Sequence, residues 1–207
     1  MTAKTLGAAA FIAFVLLAGP AFAHHVMGGR MPASFADGLL SGLGHPIIGL
    51  DHFAAVVAVG CLAAAHRAAP ALAIGFVLAM IAGVAAHVQG ASVPAAEILV
   101  ALSVIVLGAV MLTRRKMPAG AALPLFVLVG LLHGYALGES IYGAEQTPLY
   151  AYLLGLAVIQ SAVALAAMSV AQLIAKKSTD LSPLRLVGAG IAGIGLAMLM
   201  QQIIPGA

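Results

Sequence analysis

Long apolar runs separated by short polar stops dominate this chain. A membrane-spanning helix needs about twenty mostly apolar residues. Six such runs occur, at roughly 48–65, 70–88, 95–113, 121–139, 148–175 and 183–204. The stops between them are Arg67 with Pro70, Gly90 with Pro94, then "TRRKMP", "GESIYGAEQTP" and "KKSTDLSP". Ahead of the first run, "PASFADGLLSGLG" is short, glycine-rich and mildly amphipathic, which predicts a half-helix or re-entrant piece. Further upstream come Lys4, an apolar run, a Pro20 break and the triplet Ala21-Phe22-Ala23. That order predicts a secretory signal peptide over residues 1–23, cut after Ala23, and a six-helix transmembrane domain over 24–207. An uncleaved first helix is the alternative.

Composition strengthens this reading. Of 207 residues, 63% are hydrophobic and 7% charged, whereas a soluble domain carries roughly a quarter charged residues. So few charges could not cover a surface in water, and the expected class is an all-α polytopic membrane protein. The single cysteine, Cys61, allows neither an intrachain disulfide nor a thiolate metal cluster. There is no phosphate-cradling loop and no dinucleotide fingerprint. The expected surroundings are the lipid bilayer and no nucleic acid, with energy drawn from a membrane gradient or a partner.

Net charge is +3, but its distribution says more. Arg67 lies between spans one and two, Arg114, Arg115 and Lys116 between three and four, and Lys176, Lys177 and Arg185 around the last turn. Alternating spans put all three connections on one side, which the positive-inside rule makes cytoplasmic. The prediction is a bacterial inner-membrane protein whose mature termini both face outward, in agreement with the signal peptide.

That topology gives each ionisable group a depth. His45, Asp51 and His52 fall at the outer start of span one, and His87 at the outer end of span two. Glu97 opens span three, His133 sits in the outer half of span four, Glu139 lies further out, and Glu145 is in the outer loop. His24 and His25 would form a metal-collecting terminus or a merely solvated end, and His66 belongs to the cytoplasmic edge. A lone ionised group in hydrocarbon costs several kcal/mol, so these side chains should face the bundle interior and converge. A cation held among them would satisfy imidazoles and carboxylates together. Nitrogen and oxygen donors without thiolate suit Ni²⁺, Co²⁺ or Zn²⁺. Gly44 and Gly49 supply permissive backbone for an unwound turn that lets Asp51 and His52 line one cavity.

The segment "HPIIGLDH", residues 45–52, follows H-P-x-x-G-x-D-H and resembles the signature of the HupE/UreJ family of nickel permeases. "HGYALGESIYGAE", residues 133–145, is similar to that family's second motif, with Leu137 where many members have histidine and Glu139 one place early. The resemblance implies a secondary transporter with no prosthetic group, carrying Ni²⁺ or Co²⁺ for the maturation of hydrogenase or urease. It carries His45, Asp51, His52 and His133 over as site residues, and Glu139 with them. His24, His25 and His87 complete the candidate metal set. Because metal entry displaces histidine protons, uptake is expected to weaken as pH falls through roughly 6.5. Both halves hold a glycine-interrupted segment with a histidine, "GHPIIG" and "LLHGYALG", the pattern of inverted-repeat transporters with broken helices at the site. An intramembrane metalloenzyme, or a metal-sensing or storage partner, stays open as an alternative.

Overall fold

The computed structural model describes residues 30–113, 117–177 and 180–204, and those residues form an all-α membrane protein. The expected signal peptide, with His24 and His25, lies outside them. The helices are α1 (Phe35–Ile48), α2 (Leu50–Ala63), α3 (Ala69–Val88), α4 (Ala96–Leu112), α5 (Ala119–Gly138), α6 (Gln146–Lys177) and α7 (Ser182–Ile203), with a 3₁₀ turn at Glu139–Ile141. From α3 onward each helix begins and ends within about two residues of its predicted run. Four are long and apolar enough to cross a membrane: α3, α5 with its 3₁₀ turn, α6 and α7. With 17 residues, α4 reaches about 26 Å. Leu78, Leu102, Leu128, Val158 and Leu196 are exposed on the outside of the bundle, as expected of side chains that meet lipid.

The first span differs from its prediction. The half-helix expected ahead of the first run is the 14-residue α1, but it extends to Ile48 and joins α2 at Gly49 with a bend of 77°, so the run expected at 48–65 as span one is only its second half. The glycine register on α6 shows how the pair runs. A Cβ at Gly38 would meet Pro148, one at Gly42 would meet Tyr152 and Leu156, and one at Gly60 would meet Ala164 and Ala167. Contacts thus advance along α6 in one direction, so α1 and α2 are two halves of one broken span rather than a loop that turns back. The chemistry at residues 45–52 therefore sits at the middle of that span, not at its outer start.

Small residues set the remaining pairings, because close approach of backbones is what holds helices together in lipid. On α5, Gly130, Gly134 and Gly138 recur every fourth residue and press on Met80, Val84 and His87 of α3. Those contacts advance together, so α3 and α5 run parallel. Gly108 and Gly188 meet across α4 and α7, while Gly195 meets Ala101 and Ile105, so that pair is antiparallel. These directions are the ones that alternating spans require. They place Arg67, Lys176, Lys177 and Arg185 at one end of the bundle, and Arg30 with Asp37, Glu97, Glu139 and Glu145 at the other.

Candidate functional site

The break between α1 and α2 is written into three residues. Pro46 stands inside α1; with no N–H it leaves the Gly42 carbonyl without its helical donor and weakens the last turn. The Gly49 N–H still closes on the His45 carbonyl at 2.9 Å, and Phe53 N–H closes on the Gly49 carbonyl at 2.9 Å, so the two helices abut with no loop between them. Asp51 then turns its carboxylate onto the backbone, Oδ1 accepting the His52 N–H at 2.8 Å. A carboxylate at a helix N-terminus is favourable because the first amides lack partners there. At Gly49 φ is −72° and ψ 100°, which any residue adopts. What excludes a side chain is space, since a Cβ would stand 2.8 Å from His52 Cδ2 and 3.3 Å from Asp51 Oδ1. The permissive backbone expected at Gly44 and Gly49 is not what makes this turn; Gly44 lies within α1.

His45 on α1, Asp51 and His52 on α2, and His133 on α5 are each no more than 3% exposed. His52 Nδ1 and His133 Nδ1 are 2.9 Å apart, and the His45 and His52 ring centroids 6.1 Å. Behind His133, its Nε2 lies 2.9 Å from Ser103 Oγ on α4, and that hydroxyl donates to the Val100 carbonyl at 2.7 Å. A serine hydroxyl has one hydrogen. Spent on Val100, it leaves Ser103 to accept from His133 Nε2–H. His133 Nδ1 is then the acceptor and His52 Nδ1–H the donor. His52 Nε2 lies 4.0 Å from Asp51 Oδ1. Three spans thus lock one imidazole so that its Nε2 stands beside a carboxylate.

The other candidates lie elsewhere. His87 packs against Tyr135 at a tilt of 50°, with ring centroids 4.5 Å apart, and meets Tyr142 edge-on at 5.6 Å. It belongs to an aromatic cluster at the acidic end rather than to the His52 group. Glu139 and Glu145 are exposed at the same end, so convergence from four helices reduces to the first span and α5, with Ser103 in support. The pairing of two glycine-broken helices holds only in part, because α5 is unbroken through His133. Among the described residues, no three His, Cys, Asp or Glu side chains stand together at metal-holding geometry. Three buried polar residues went unnoticed in the sequence: Ser41 on α1, Ser103 on α4, and Gln160 on α6. Their only signal was a hydroxyl or an amide within mostly apolar segments.

The HupE / UreJ protein family matches residues 12–198. The chain is 36% identical over 124 residues to "Protein HupE" of Rhizobium leguminosarum bv. viciae, an alignment covering 59% of this chain and 62% of that protein. No solved structure matches. The match to the family takes in the broken span, α5 with His133 and most of α7, and the chain belongs to the HupE/UreJ family.

Proposed function

We propose that the protein is a secondary transporter that imports a divalent transition-metal ion, nickel first and cobalt as the alternative of the same type. The observation that carries this reading is the buried Asp51–His52–His133–Ser103 relay at the break of the first span. Packing alone would not place a carboxylate and two hydrogen-bonded imidazoles in mid-bundle, where each is costly. In the proposed site the ion lies between His52 Nε2 and Asp51 Oδ1. Their 4.0 Å separation suits a cation at ordinary metal–ligand lengths of about 2.0–2.2 Å. His45 lies across the break, its ring centroid 6.1 Å from that of His52, and His133 acts through His52, holding the ring that binds. Such hydrogen-bonded support is the usual way a ligating histidine is oriented.

Direction follows from charge. Among the described residues, Asp37, Glu97, Glu139 and Glu145 lie at the end that carries Arg30, so that mouth attracts cations, and the opposite, basic end is the cytoplasmic one. Helix pairing supports an alternating mechanism. Counting α1–α2 as span one, the packed pairs are one with five, two with four, and three with six. Moving each span three places along exchanges the first two pairs and returns the third to itself. That is the arrangement of two inverted halves, with His52 and His133 each on the leading span of its half. Delivery of the ion to hydrogenase or urease maturation proteins rests on the family alone. The test is accumulation of radioactive nickel by whole cells, with cobalt and zinc as competitors. Wild-type protein should drive uptake and His52→Ala should abolish it at equal membrane abundance; binding without accumulation would mark an accessory or storage protein instead.

A further inference from the structure

We propose that Gln160 is a ligand-binding residue of the ion site, its amide oxygen supplying the donor that the first span and α5 leave to be filled. This rests on the transport reading above and adds a third region of the fold to the site.

Gln160 is 1% exposed, and neither its Nε2 nor its Oε1 has a hydrogen-bond partner. A buried amide with both atoms unsatisfied is costly, and native structures carry few of them. Its position on α6 is specific. The face of α6 that packs on the first span carries Tyr152 and Leu156 against Gly42 of α1, and Ala164 against Gly60 of α2. Gln160 is four residues from Leu156 and four from Ala164, so it lies on that same stripe. It therefore stands between the point where α6 leaves α1 and the point where it takes up α2. The break at Gly49 falls at that level, with His45 on one side and Asp51 and His52 on the other. An unpartnered amide thus faces the gap between two half-helices. Carboxamide oxygen is a weak neutral donor, suited to a site that must release its ion after binding it.

The experiment uses the full chain purified in detergent, with nickel binding measured by calorimetry and melting temperature measured alongside. Gln160→Leu keeps the bulk and removes both polar atoms; Gln160→Glu keeps an oxygen donor. The expected result is that Gln160→Leu weakens nickel binding by about tenfold or more, with a melting temperature equal to or above wild type, because no hydrogen bond is lost. Gln160→Glu should retain binding. Wild-type binding by Gln160→Leu would overturn the assignment, and so would a fall in melting temperature paired with failure of Gln160→Glu to bind. If the wild-type chain itself binds neither nickel nor cobalt, the transport reading fails and this assignment fails with it; if only Gln160→Leu matches wild type, the transport reading stands.

Discussion

Ser103 is the residue whose removal says most about the relay. Its hydroxyl accepts from His133 Nε2–H while donating to Val100. Ser103→Ala leaves that imidazole N–H buried without an acceptor, at a cost of about 1–3 kcal/mol. Thermal unfolding of the purified variant should show a clear fall in melting temperature, and Ser103→Thr, which keeps the hydroxyl, should recover most of it. Nickel affinity should drop in Ser103→Ala as well, since His133 would be free to take the other tautomer and release His52. At this scale legibility in the sequence followed cost. His45, Asp51, His52 and His133 stood out because an ionisable group within an apolar run demands an explanation. Ser103 and Gln160 did not, because hydroxyls and amides are ordinary in membrane helices and no spacing ties position 103 to position 133.

The first span is the element that holds the site together, and its break has a steric cause that can be tested. Gly49→Ala is compatible with the backbone, yet its Cβ would crowd His52 Cδ2 and Asp51 Oδ1. The variant should still reach the membrane, with a lower melting temperature because the buried His52 ring must shift, and with nickel affinity down by about tenfold. Unchanged affinity would mean that the His52 ring is not held where the relay puts it. The helices from α3 onward were readable almost to the residue, because apolar length and polar punctuation decide them. The first span was not. Apolar pattern alone cannot show that "PASFADGLLSGLG" continues into "HPII" as one helix, nor that the pair lies along α6 through Gly38, Gly42 and Gly60. That register depends on contacts with residues more than a hundred positions away.

For the whole molecule, the helix directions sort the charges into a basic end and an acidic end, and function depends on which end faces the cytoplasm. In a Cys61→Ser background, Arg67→Cys should be labelled by an impermeant thiol reagent only after the cells are opened, and Tyr142→Cys in intact cells. The reverse pattern would put the acidic end in the cytoplasm and contradict the proposed direction of import. The alternation of apolar runs and basic stops was legible in the sequence, since both are local features, and the helix directions it requires are the ones observed. Which spans lie side by side was not legible, because pairing is set by small residues that look alike wherever they occur.

The most direct test of the central claim is X-ray absorption at the nickel edge of the loaded, purified protein. The account predicts nitrogen and oxygen donors without sulfur, with the outer-shell scattering of imidazole reduced in His52→Ala. A spectrum without imidazole scattering, or one that His52→Ala leaves unchanged, would contradict it.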